Sequence, residues 1–123
     1  MKVSKKNNIT EFTIPVRLPS ANTFERMHWA EKYRLKNEMR ILIMYIFKKK
    51  KIKYKNVDYI EIELSFSQKR RRDKMNYITP ADKLIIDNLV ELGIIPDDSQ
   101  LEIPSIIFTN KKEDGVLVRI AGV

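Results

Sequence analysis

Residues 69–76 read KRRRDKMN, four cations running into one aspartate. Lys69, Arg70, Arg71 and Arg72 suit a phosphate backbone, because guanidinium groups grip phosphate oxygens in pairs. Asp73, set among them, is a hard-oxygen donor of the kind that holds Mg²⁺ or Mn²⁺. Two more carboxylates, Asp97 and Asp98, follow in the turn IIPDDSQ. Carboxylates that converged on this basic surface would hold a metal able to activate water for phosphodiester cleavage, and a lysine would steady the developing charge. Each feature also has a plainer reading. Asp in a P-D-D-S turn commonly bonds its own backbone. Asp82, three residues after Thr79, fits a helix N-terminal acid. Lys83 and Asp87, four apart, make a surface pair, and His28 with Trp29 begins a helix.

The charge balance narrows the partners. There are 24 basic and 16 acidic residues, net +8. KKKKIKYK, from Lys48 to Lys55, carries +6, and KRRRDK, from Lys69 to Lys74, carries +4, so the remainder sums to −2. Two short segments hold the whole excess, as expected of an electrostatic footprint for phosphates. Lys48, Lys49, Lys50 and Lys51 therefore join the candidate DNA contacts. The chain has no cysteine and a single histidine, His28, which excludes disulfides, thiolate zinc sites and multi-histidine metal sites. No stretch approaches the 18 apolar residues of a membrane span, and the N-terminus has no apolar signal core. The expectation is a cytoplasmic protein with no membrane partner.

Periodicity supplies the elements that must position these groups. The 123 residues suit a single domain, 1–123, with 1–10 as a flexible N-terminus. EFTIPVRL, residues 11–18, alternates like a half-buried strand, with Pro15 suggesting a sheet edge. A loop, PSANTFER, follows. Residues 27–47 turn helical, Leu35, Met39, Leu42 and Ile46 making one stripe and Lys32, Lys36 and Arg40 another. Residues 57–66 alternate most clearly of all. The next helix, TPADKLIIDNLVELG, has Thr79 as N-cap, Pro80 at its first turn and Gly93 just past its end. Two strands near 103–109 and 115–121, joined by a hairpin loop NKKED, complete the order β-α-β-α-β-β. This is an α+β fold, a single layer of mixed sheet with two main helices. If the second helix runs antiparallel to its strand, its C-terminal turn returns toward the strand's start. Topology alone does not bring Asp73 and Asp98 together.

The string RRRDKMNYITPADKLIIDNLVELGIIPDDSQ resembles the RusA family of Holliday junction resolvases, and LPSANTFERMHWAEKYRLKNEM is similar to that family's opening loop and first helix. The resemblance implies a Mg²⁺- or Mn²⁺-dependent endonuclease that acts as a homodimer on four-way DNA junctions. By position it implies catalytic roles for Asp73, Lys83 and Asp98, Asp73 and Asp98 as metal ligands, and DNA contact by Asn76 and Lys74 with the arginine run. Asp87 falls where the family often has a structural aspartate. Where the family pattern D-x-D-N has its second aspartate, this chain has Met75, and a thioether is no ligand for Mg²⁺. Asp82 or Asp97 then supplies the carboxylate, or the chain binds junctions without cutting them efficiently. Drawing a site from both subunits is a further way for distant carboxylates to meet.

Overall fold

Strand β3, Val57–Phe66, lies where its alternation predicts, with Ile60, Ile62, Leu64 and Phe66 buried. The computed structural model describes residues 3–6, 8–97 and 104–123. Within them β1 (Val3–Lys6), β2 (Ile9–Ile14), β3, β4 (Ser105–Asn110) and β5 (Gly115–Gly122) form one mixed sheet in the order β1-β2-β5-β3-β4. β5 pairs antiparallel with β3 on one side, and β4 pairs parallel with it on the other.

Three expectations change here. Val3–Lys6, placed by the sequence reading in a flexible N-terminus, pairs as a strand with β2. β2 is therefore flanked on both sides, and Pro15 lies just past its end rather than on a sheet edge. Residues 111–114 are no hairpin: β4 and β5 sit on opposite sides of β3, so this loop crosses over the end of β3. Lys111 N–H donates to the Phe66 carbonyl and Asp114 accepts from Ser67 N–H, at 3.2 and 2.8 Å, fixing that crossing. The Ser67 N–H, helped by Arg17 and Arg72, holds the Asp114 carboxyl below its usual range.

The expected loop at PSANTFER contains α1, Ala21–Arg26, capped by Ser20, whose Oγ accepts from Thr23 N–H at 3.2 Å. α2, Trp29–Phe47, is capped by His28 through Nδ1. Its buried residues, Met39, Ile43, Ile46 and Phe47, join Phe12, Ile62, Leu64, Val118 and Ile120 in one core. The next helix is continuous but uneven: α3 (Ile78–Ala81), a π-helical stretch (Asp82–Ile86) and α4 (Asp87–Glu91). It starts earlier than the Thr79 cap predicts, because a 3-10 turn at Lys74–Tyr77, capped by Asp73, leads into it. Thr79 and Asp82 lie inside the helix. Gly93 takes φ +74° at the C-terminal end, as expected of a helix stop. α2 and α4 are tied by Glu91, which accepts from Lys36 at 2.9 Å and Arg40 at 2.8 Å. The Lys36 bond pulls the Glu91 carboxyl down. Buried Asn88 adds a second tie, its amide donating to the carbonyls of Lys36 and Leu84. No helix among the described residues is long and apolar enough to cross a membrane.

The lysine run is anchored by the residues between its lysines. Tyr54 is 2% exposed, and its hydroxyl meets Thr10 and the Ile120 carbonyl. Its backbone N–H donates to Ile94 O, and the N–H groups of Lys55 and Asn56 donate to Val123 O. The run is thereby fixed at the starting end of β3. Tyr54→Phe removes the hydroxyl and leaves buried Thr10 short of a partner. It is expected to cost about 1–3 kcal/mol, read as a lower urea midpoint with unchanged slope.

Candidate nucleic-acid interface

At the other end of β3 the chain leaves the sheet through Ser67 and enters the arginine loop. Phe66, Tyr77 and Phe108 stack there with ring centroids 5.5–5.9 Å apart and form a rigid apolar floor. Arg72 turns inward onto it. Its guanidinium lies 3.8 Å from the Phe66 ring centre, and Nη1 donates to the carbonyls of Gln68 and Arg70. Its Nη2 is buried with no hydrogen-bond partner. The sequence reading treats all three arginines alike, but Arg72 shapes the loop from beneath. Arg70 and Arg71 are exposed.

These residues line one cleft of about 570 Å³. Arg70, Arg71, Arg72, Asp73 and Asn76 form one wall; Arg17, Ser20, Asn22 and Thr23, from the end of β2 and the start of α1, form the other. Asn76 Oδ1 accepts from Asn22 N–H at 3.4 Å and joins the two walls. Asp73 Oδ1 accepts from Met75 N–H at 3.0 Å. The carboxylate is thus a helix-start cap in a cleft whose lining also includes Arg17, Arg70, Arg71 and Arg72, and a cleft with four cations and one carboxylate in its lining is electropositive. Arg17 is the member sequence reasoning missed. The expected strand over residues 11–18 hides it, whereas β2 ends at Ile14 and frees Arg17 to line the cleft.

The other candidates fall elsewhere. Lys69 and Lys74 are exposed beside the cleft without lining it. Lys83 and Asp87 line a second groove of about 390 Å³ with Phe24, Lys32 and Tyr33, on the other side of α1. Asp82 is half-buried in the π-helical stretch and lines neither space. Asp97 follows Ile94 and Ile95, whose N–H groups donate to Leu89 O. It therefore sits at the lysine-run end. Fourteen helical residues, Ile78–Glu91, intervene, placing it about 20 Å from Asp73 at 1.5 Å per residue. Asp98 lies outside the described residues. Lys48, Lys49, Lys50 and Lys51 are exposed at that same far end. The two basic segments, read from sequence as one footprint, are separated in one chain by the length of β3, about 30 Å.

Oxygen donors in the cleft, the Asp73 carboxylate, the Asn76 amide and the Ser20 and Thr23 hydroxyls, are all hard and fit Mg²⁺ or Mn²⁺. Met75, 68% exposed, does not line it. Among the described residues no three carboxylate or histidine side chains gather as a ligand set. One carboxylate with neutral oxygens matches the way Mg²⁺ is often held, its shell completed by water and phosphate. No protein-family model matches the chain, and no curated protein matches it.

The inward arginine separates from its neighbours by experiment. Arg72→Ala is expected to lose about 1–2 kcal/mol of stability, from the lost stacking and the two carbonyl bonds. Arg70→Ala and Arg71→Ala are expected to stay within about 0.5 kcal/mol of wild type. Urea unfolding of the three variants checks the ordering.

Proposed function

We propose that the chain is a metal-dependent, structure-selective endodeoxyribonuclease that nicks four-way or other branched DNA. The observation that carries this reading is the cleft itself, whose lining combines Arg17, Arg70, Arg71 and Arg72 with the single carboxylate of Asp73. The resemblance of residues 70–100 to the RusA resolvases supplies the substrate class. Arg70, Arg71 and Arg17 grip the phosphates on either side of the one to be cut. Asp73, with the Asn76 oxygen, would hold a Mg²⁺ ion, and such an ion would supply Lewis acidity and an activated water for hydrolysis. The Met75 N–H keeps the Asp73 carboxylate oriented. Lys83, across α1, reaches the strand beyond the cleft and screens its charge. The stacked floor of Phe66, Tyr77 and Phe108 keeps the cleft's shape while DNA enters and leaves.

A second reading, a junction-binding protein that cuts poorly, is favoured by one observation. Asp73 is the only carboxylate lining the cleft among the described residues, where the resemblance calls for more.

Cleavage of a labelled four-way junction beside a matched linear duplex, with Mg²⁺ or Mn²⁺, tests both. Paired symmetric nicks in the junction alone are expected, lost in Asp73→Asn. Asparagine caps a helix start about as well as aspartate, so this variant is expected to stay folded and to bind. Binding should weaken steeply with salt as phosphate contacts release counterions. Tight, salt-sensitive binding without nicks supports the second reading, and a chain that neither binds nor cuts contradicts both.

A further inference from the structure

His28 and Trp29 do not line the arginine cleft, and capping α2 requires only the histidine. Trp29 is nevertheless 73% exposed, and Tyr33, one turn further along α2, is 70% exposed. Exposed apolar side chains scattered singly are ordinary. Two large rings four residues apart are different, because they share one face of the helix, about 6 Å apart along its axis. Trp29 is also held on one side: the His28 ring, fixed by its Nδ1 cap, lies 5.5 Å from the Trp29 ring at a tilt of 39°.

Tyr33 also lines the groove of about 390 Å³. Phe24 and Leu84, both buried, give this groove an apolar floor. Lys32, Lys36 and Lys83 add amines, and Glu25 and Asp87 add carboxylates. Lys32 Nζ stands 5.3 Å from the centre of the Phe24 ring, over the floor itself. Lys83 and Leu84 belong to the π-helical stretch, an irregularity frequent where a helix serves a ligand. Ring faces beside ammonium groups fit one chemistry well: aromatic side chains stack bases whatever their sequence, and lysines hold the phosphates that link them. The two carboxylates offer acceptors to amino groups on base edges. A duplex keeps its base faces inside its own stack, so an unpaired strand is the polyanion that can use both features.

The groove lies next to the cleft. Ser20, Asn22 and Thr23 of the capped α1 turn line the cleft, and Phe24 and Glu25, which follow directly, line the groove. A helix is about 10 Å across, so a strand leaving the cleft reaches the groove within about three nucleotides, at about 3.4 Å each when stacked.

We propose that the start of α2 and the groove beside it form a stacking site for unpaired DNA. Bases lie against Trp29 and Tyr33 while Lys32 and Lys83 hold the phosphates; Lys36 is engaged by Glu91. The proposal rests on the nuclease reading only for the source of the strand, which is the DNA left unpaired at a branch point beside the cleft. The site thereby favours branched over fully paired DNA.

Trp29 is the only tryptophan in the chain, so its fluorescence reports the site directly. The protein is titrated, without divalent metal, with a short mixed-sequence single strand and with the same sequence as a duplex. The single strand is expected to quench Trp29 emission to saturation, at lower concentration than the duplex. Tyr33→Ala is expected to weaken single-strand binding roughly 5- to 100-fold, the effect of losing one stacked base, with an unchanged urea midpoint. Tyr45→Ala, at the other end of α2 and 63% exposed, is expected to leave binding unchanged. Absence of quenching overturns the proposal. So does equal quenching by the duplex, or an equal loss in Tyr45→Ala. Single-strand quenching by a protein that cuts no junction with Mg²⁺ sustains the stacking site and removes the nuclease reading. Junction cutting without quenching does the reverse.

Discussion

The ten residues of β3 hold β5 on one side and β4 on the other, and so decide which loops share an end of the molecule. Because β4 runs parallel to β3, the chain must travel back the full length of the strand between them, and the helix from Ile78 to Glu91 makes that journey. The arginine loop is thereby fixed at the end where β3 finishes, and the Asp97 turn at the end where it begins. The separation of acids and of basic runs follows from this one pairing.

At the arginine end, packing and electrostatics are coupled. Arg72 stacks on Phe66 and braces the loop from inside, which turns Arg70 and Arg71 outward. Asp114 and Lys111, from the loop that crosses the strand end, tie the same exit from the sheet. Asp73 does two jobs with one carboxylate, since it starts the 3-10 turn and supplies the acid in the cleft lining. A residue that caps a turn has its rotamer set by the fold, and a metal ligand benefits from that rigidity.

Much of this was legible in the sequence. β3 is legible to the residue because Ile60, Ile62, Leu64 and Phe66 alternate without a break, although the phase slips near Tyr59, where the pairing with β5 has a register irregularity. The helix of residues 78–91 was recognised by its apolar stripe, yet its start was misplaced. Thr79 and Asp82 imitate a cap, and only the burial of Tyr77 and the Asp73 bond reveal that the turn begins earlier. β1 is not legible because MKVSKKNN has only Met1 and Val3 as apolar residues and no sustained alternation, its pairing coming from the open edge of β2. The inward turn of Arg72 could not be read from three consecutive arginines, since the choice among them is made by an aromatic ring six residues upstream. The crossing of β4 to the far side of β3 was hidden for a similar reason: a short polar loop serves a hairpin and a crossing equally well.

The central claim is that phosphate is held in the cleft between the arginine loop and α1. A four-way junction carrying a photoactivatable 4-thiothymidine at the crossover, cross-linked and mapped by peptide mass spectrometry, examines it most directly. The account predicts adducts within residues 17–23 and 69–77. Adducts confined to the open face of the sheet, around Glu61 and Arg119, would contradict it.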